Sequence, residues 1–304
     1  MPTPPPTEPP PPANPPRAWQ PLTFHGVAAF SRAPLGRLFL AQAFTALLVS
    51  ATVCAFLATA WFPGLRTAIQ QLPTTGAIQA GQLNLPPPPQ PALFENRFLS
   101  LFLNPSGEPL PPSTADLQIE FGPQRLTLTA GRGQFHQPYP HDRSLPFNQP
   151  DLQAAWDAWQ PMLFGLACLG TLAFLAANWA TLATLYSPLP WLFAYFTDRQ
   201  LSPAGAWKLA AAALLPGALL ATLGLALYNL GWINLTQFTL LWIFHLPAGW
   251  LYLAAAPRCL PRVQTPPPTR GNPFQPASPA DSSAGDDPAA EPRSPFANPG
   301  PNPR

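Results

Sequence analysis

The chain has 304 residues, of which 47% are hydrophobic and only 9% charged, with a formal net charge of +2. Soluble domains carry about 25% charged residues, so an ordinary soluble composition is excluded. No run of Lys or Arg occurs anywhere, which excludes a nucleic-acid footprint and any nucleic-acid partner read from charge.

Residues 1–35 read as a proline-rich tail followed by a juxtamembrane segment. The tail cannot bury a core and is expected to be disordered, partly polyproline II. The stretch from Phe24 to Phe30 is expected to lie at a membrane surface. Residues 36–62 form the first predicted span. From Leu38 onward roughly 25 residues carry no charge, enough to cross a ~30 Å hydrocarbon layer at ~1.5 Å per residue. Arg32 and Arg37 flank its start and Trp61 is an interfacial anchor at its far end. Ala58-Thr59-Ala60 resembles a signal-peptide cleavage site. The apolar stretch is longer than the about 7–15 residues of a signal peptide's core, and a long proline-rich region precedes it, so an uncleaved anchor is expected.

Residues 63–160 are the one long polar region between spans. Gly64 to Leu72 reads as a helical continuation of the first span. Strand-like runs follow at Ala77–Leu85, Phe98–Leu103, Asp116–Phe121 and Arg125–Thr129. In the last two, apolar and polar residues alternate, and Gly122-Pro123-Gln124 between them is a turn signal. These runs predict a small β-rich domain whose proline patches, Pro86–Pro91 and Pro138–Pro150, are loops.

Residues 161–186 are the second span and 187–208 a loop carrying Trp191, Phe193, Tyr195 and Phe196. Residues 209–230 and 235–256 are the third and fourth spans, joined by a tight turn into a helical hairpin. Residues 257–304 are a second proline-rich, disordered tail. The predicted fold is an α-helical integral membrane protein with four transmembrane helices and a β-rich domain inserted after the first. The bilayer is its expected environment, as a multi-pass protein of the plasma (inner) membrane. Arg32, Arg37, Arg199, Lys208, Arg258 and Arg262 all fall on one side of this layout. The positive-inside rule therefore places both termini in the cytoplasm and the β-rich domain outside.

Chemistry-bearing residues are sparse. The three cysteines, Cys54, Cys168 and Cys259, lie in or beside apolar windows and read as packing residues. No apolar window contains Asp, Glu, Lys or Arg, the usual markers of ion pathways and catalysis inside a membrane. The exception to this silence is His245, halfway along the fourth span and two residues before Pro247. The third span breaks at a comparable depth, at Pro216-Gly217, and Asn178 on the second span lies near the same level. Each proline frees a carbonyl four residues back, those of Ala212 and Ile243. Two readings fit. The prolines kink helices for close contact while His245 hydrogen-bonds to Asn178 or a freed carbonyl, or the breaks frame a polar intramembrane site. In the outer domain, His136, His141 and Asp142 do not follow a metal-ligand spacing and read as a solvated loop. No catalytic residue, metal site or cofactor motif is found, and no enzymatic activity is expected.

The order of elements is familiar. Leu72-Pro73 followed by Ile78-Gln79-Ala80-Gly81-Gln82-Leu83, the strand from Phe98 into Asn104-Pro105-Ser106-Gly107, the hairpin from Asp116 to Leu128, and Leu201-Ser202-Pro203-Ala204 leading through Trp207 to Pro216 resemble an uncharacterised family of bacterial multi-pass membrane proteins. Some of its members are labelled maltodextrin-utilisation membrane proteins. Asn104 stands where that family usually has Asp, and the long proline-rich tails depart from its pattern. The resemblance implies no catalytic residues. The expectation for function is a binding, sensory or scaffold role through the outer domain, with an envelope protein or a second copy of the chain as partner. The alternative is a component of a transporter for small uncharged solutes, built around His245, Asn178, Pro216 and Pro247.

Overall fold

A computed structural model describes residues 20–86, 91–131 and 133–263. The proline-rich stretches 1–19, 87–90 and 264–304, read above as tails and a loop, lie outside the described residues. Four helical stretches, Leu35–Gln70, Gln149–Phe196, Pro203–Asn229 and Leu235–Cys259, are long and apolar enough to cross a membrane.

The helical part opens with α1 (Phe24–Phe30), capped by the Thr23 hydroxyl, which accepts from Gly26 N at 3.0 Å. The expectation that this stretch lies at a membrane surface does not say what its side chains pack against. Val27 and Phe30 are fully buried, in one cluster with Leu209 and the alanines Ala210–Ala213. That row of methyl-sized side chains leaves the space into which α1 fits. Helix α2 (Leu35–Phe56) runs through a π-turn, Leu57–Trp61, into α3 (Phe62–Gln70). Pro63 has no N–H to return to the preceding turn, and a widened turn absorbs the mismatch.

Helix α4 (Gln149–Tyr186) starts well before residue 161. Asn148 caps it, accepting from Asp151 N at 3.0 Å, with Pro150 in the first turn where its missing N–H is harmless. The chain passes through Pro161 without breaking. The predicted loop at 187–208 contains another helix, α5 (Pro188–Phe196), again with proline in its first turn. Helix α6 (Pro203–Asn229) is capped by Ser202, and α7 (Leu235–Ala255) opens with a reciprocal capping box of Asn234 and Gln237.

A short 3-10 turn, Ala256–Cys259, ends the bundle. Beyond it the described part of the C-terminal segment is tied down. Val263 N donates to Asp198 O at 2.7 Å and Arg199 Nη1 to Leu260 O at 2.5 Å. At the same end Lys208 Nζ donates to Ala33 O at 2.8 Å. The six basic residues named above thus gather at one end of the helices, where α2 and α6 begin and α4 and α7 finish.

At the other end sits the sheet domain. Its strands are β1 (Ala77–Gln79), β2 (Gln82–Asn84), β3 (Ala92–Glu95), β4 (Leu99–Leu103), β5 (Leu117–Phe121), β6 (Arg125–Ala130), β7 (Gly133–Pro138) and β8 (Leu145–Pro146). They form a small sheet in the order β2-β1-β8 and a five-stranded sheet in the order β3-β4-β5-β6-β7. The run Ala77–Leu85 is therefore two strands, split by a tight turn at Ala80 (φ 49°) and Gly81 (φ 75°). β4 and β5 pair in parallel and all other neighbours are antiparallel. One core joins both sheets to α3, with Ile78, Leu83, Leu99, Leu101, Leu103 and Phe147 buried in it. Strand β3 packs under α3, whereas β7 is exposed along its whole length.

Candidate functional site

Three places in the molecule present unusual chemistry. The first is a cavity of about 440 Å³ between α4 and α7, floored by α6 and α2. Its walls are apolar and aromatic, among them Phe174, Trp242 and Trp250. Asn178 and His245 both line it, so the structure brings these two sequence candidates to one space. They do not bond to each other. His245 Nδ1 meets the carbonyl of Trp242 on its own helix, and among the described residues the Asn178 amide finds no hydrogen-bond partner.

Pro216 and Pro247 are not in the lining. Pro216 is buried in α6 and Pro247 is exposed on α7. Their neighbours explain the arrangement. A Cβ on Gly217 would sit 2.5 Å from the His245 carbonyl oxygen, so the missing side chain lets α7 cross α6 at contact distance beside the two prolines. Neither proline breaks its helix: α6 and α7 run on through Pro216 and Pro247, and the close approach at Gly217 fixes the height of His245 against α6.

The second place is the junction of the sheet domain with the helix ends. Phe56 of α2, Phe98 before β4, Tyr228 of α6 and Phe238 of α7 form a chain of rings with centroids 5.0–5.7 Å apart. Polar groups lock it. Tyr228 donates to Asp116 Oδ2 at 2.5 Å, and Arg97 Nη2 donates to Ile233 O at 2.6 Å while its guanidinium covers the Phe98 and Tyr228 rings. Gly231, at φ +79°, has no room for a side chain, since a Cβ there would meet Arg97 Nη1 at 2.6 Å. On α2's continuation Asn96 Nδ2 donates to Ala60 O at 3.0 Å, within the π-turn. None of Arg97, Asp116, Tyr228 or Asn96 stood out in the sequence. The residues are scattered over more than a hundred positions, and no short spacing links them.

The third place is the outer edge of β7. Tyr139 N bonds to Gln124 O at 3.1 Å, which fixes the alternation of the β6–β7 ladder. By that alternation the N–H and C=O of Gln134 and His136 point away from β6, and the outward position at Pro138 has no N–H at all. The strand carries no charged residue, and Phe135 is 60% exposed. His136 is oriented on its face by Thr127 Oγ1, 3.2 Å from Nδ1, whereas His141 lies against Gly81. Among the described residues no group of three or more His, Cys, Asp or Glu side chains could hold a metal ion, and the three cysteines are free.

No family model, no curated protein and no solved structure matches this chain.

Proposed function

We propose that this chain is an integral membrane protein whose sheet domain lies outside the cell and binds an extended polypeptide segment of an envelope partner along the free edge of β7. The observation that carries the reading is that edge. Exposed strand edges are normally blunted by charge, bulges or cover, because they pair readily with other chains. β3 is covered by α3, but among the described residues β7 is regular, uncharged and unpaired on its outer side. Main-chain pairing to such an edge supplies affinity, and side chains such as Phe135 supply selectivity.

The membrane part is an anchor and a rigid mount. The basic residues gathered at the far end of the helices support a cytoplasmic position for that end. The exposed aromatic side chains of α5, Trp191, Tyr195 and Phe196, suit the interface there. The Arg97–Tyr228–Asp116 junction would hold the sheet domain in a fixed attitude to α6 and α7. The likeness to the uncharacterised bacterial family rests on segments that fall on β1–β2, β4, the β5–β6 hairpin and the start of α6, and it is part of this proposal.

Site-specific photocrosslinking in intact cells tests the reading. A crosslinker at Phe135 should give a discrete adduct, and one at Glu108 should not. His136→Pro removes an outward N–H and leaves the bonds to β6 in place, so it should abolish the adduct. Equal adducts at both sites, or an adduct indifferent to His136→Pro, would contradict the proposal. An adduct of twice the chain's mass would make the partner a second copy.

The cavity beside His245 favours one further reading, a component of a transporter for small uncharged solutes. Solute uptake into vesicles that responds to His245→Ala would support it.

A further inference from the structure

From the cavity between α4 and α7 we infer a binding site for an uncharged, largely apolar molecule that carries a hydroxyl group and enters sideways from the bilayer. The inference rests on the membrane reading above, not on the β7 edge.

Its size suits a small ligand, since the roughly 440 Å³ falls within the about 300–1,000 Å³ of small-molecule sites. The lining holds no Asp, Glu, Lys or Arg, so neither an anion nor a cation would find a counter-charge there. The walls are hydrocarbon and indole, which suits an apolar body. α4 and α7 stand on opposite sides of the cavity without closing over it, and Trp242 and Trp250 at its rim are about half exposed. His245 is ten residues from either end of α7, about 15 Å of helix at ~1.5 Å per residue. That depth is the middle of a bilayer, beyond the reach of an ordinary lipid headgroup and of bulk water.

The hydrogen-bonding groups define the ligand's handle. His245 Nδ1 is taken up by the carbonyl of Trp242, which leaves Nε2 for a ligand. Asn178 offers an amide donor and a carbonyl acceptor across the same space. In hydrocarbon an unpaired amide is unfavourable, which favours any molecule able to satisfy it. A hydroxyl both donates and accepts, so it can bond to His245 Nε2 in either tautomer and to either end of the Asn178 amide. An ether or ester of the same shape can only accept.

The test uses the full-length protein in lipid nanodiscs and two photoreactive diazirine probes, a sixteen-carbon alcohol and its methyl ether. Retention of the protein in membranes after an alkaline carbonate wash is established first, so loss of the membrane reading would be seen separately, as release into the wash. Labelled positions are then read by mass spectrometry. The alcohol should label cavity residues such as Trp242 and Phe174 roughly two- to tenfold more than the ether, the worth of one neutral hydrogen bond. His245→Phe, which keeps a ring and removes its nitrogens, should erase that preference. Equal labelling by the two probes, or a preference that survives His245→Phe, would overturn the inference. So would cavity residues silent to both probes while Trp242→Cys forms a disulfide with a second copy, because the occupant would then be another chain.

Discussion

The phenol of Tyr228 donates to Asp116 Oδ2 across 2.5 Å and so ties the last turn of α6 to the residue that precedes β5. Asp116 is held in turn by its own N–H, which donates to Arg97 O at 3.0 Å, and Arg97 reaches the turn between α6 and α7. A domain built from residues early in the chain is thereby fastened to a helical hairpin formed much later. Tyr228→Phe keeps the ring cluster and removes the one bond. It should lower stability by about 1.5–3 kcal/mol, since the acceptor is a carboxylate. Amide hydrogen exchange should quicken around Asp116 and stay unchanged in the β1–β2 turn. Unchanged exchange at Asp116 would mean that the bond does not hold the junction.

At Gly217 the expected outcome follows from distance. Gly217→Ala puts a methyl group 2.5 Å from a backbone oxygen that cannot rotate away, so α6 and α7 must separate. Overpacking of this kind costs about 1–3 kcal/mol. Thermal unfolding of the detergent-solubilised protein should show the loss, with Gly165→Ala as the control, because nothing lies within 4 Å of a Cβ at Gly165. Equal melting of the two variants would contradict the close crossing.

Tyr139 provides a pH test of the sheet domain. Its hydroxyl donates to Gly122 O at 3.1 Å, and the side chain is buried. Burial, and then the nearby Glu120 carboxylate, hold its ionisation well above that of a free tyrosine. The folded state therefore keeps this proton more tightly than the unfolded chain does. Its contribution is fully present below the unfolded value of about 10 and is lost as pH rises above it. Wild type should lose stability above pH ~10 more steeply than Tyr139→Phe, in melts followed by circular dichroism. Parallel curves would sink the assignment.

Much of this architecture was legible in the sequence, for identifiable reasons. Long windows without charge mark the four long helices, and the alternation of Leu117, Ile119 and Phe121 with polar neighbours marks β5 and its hairpin partner β6. Other parts were not. α1 is seven residues long, too short to show a helical period, and its burial depends on the alanine row of α6 nearly two hundred residues away. α5 begins Pro188-Leu189-Pro190, which reads as loop text, yet proline in the first turn of a helix is harmless. Asn148, two residues before Pro150, was an available start signal for α4, masked by the proline patch around it. The parallel pairing of β4 with β5 leaves no local trace, because the chain between them, residues 104–116, has no strand of its own. Of the candidate site, His245 and Asn178 could be found as polar residues in apolar windows. The junction residues could not, since Arg97 and Asp116 look like ordinary surface charges until the fold brings Tyr228 to them.

The orientation of the sheet domain is tested most directly by cysteine labelling. With Cys54, Cys168 and Cys259 replaced by serine, a single cysteine is placed either at Gln134 on β7 or at Gln200, which follows α5; both positions are exposed. Intact cells are treated with a membrane-impermeant maleimide. Gln134→Cys should be labelled and Gln200→Cys should react only after the cells are opened. Labelling of Gln200→Cys from outside, with Gln134→Cys protected, would turn the molecule over and contradict binding of an envelope partner at β7.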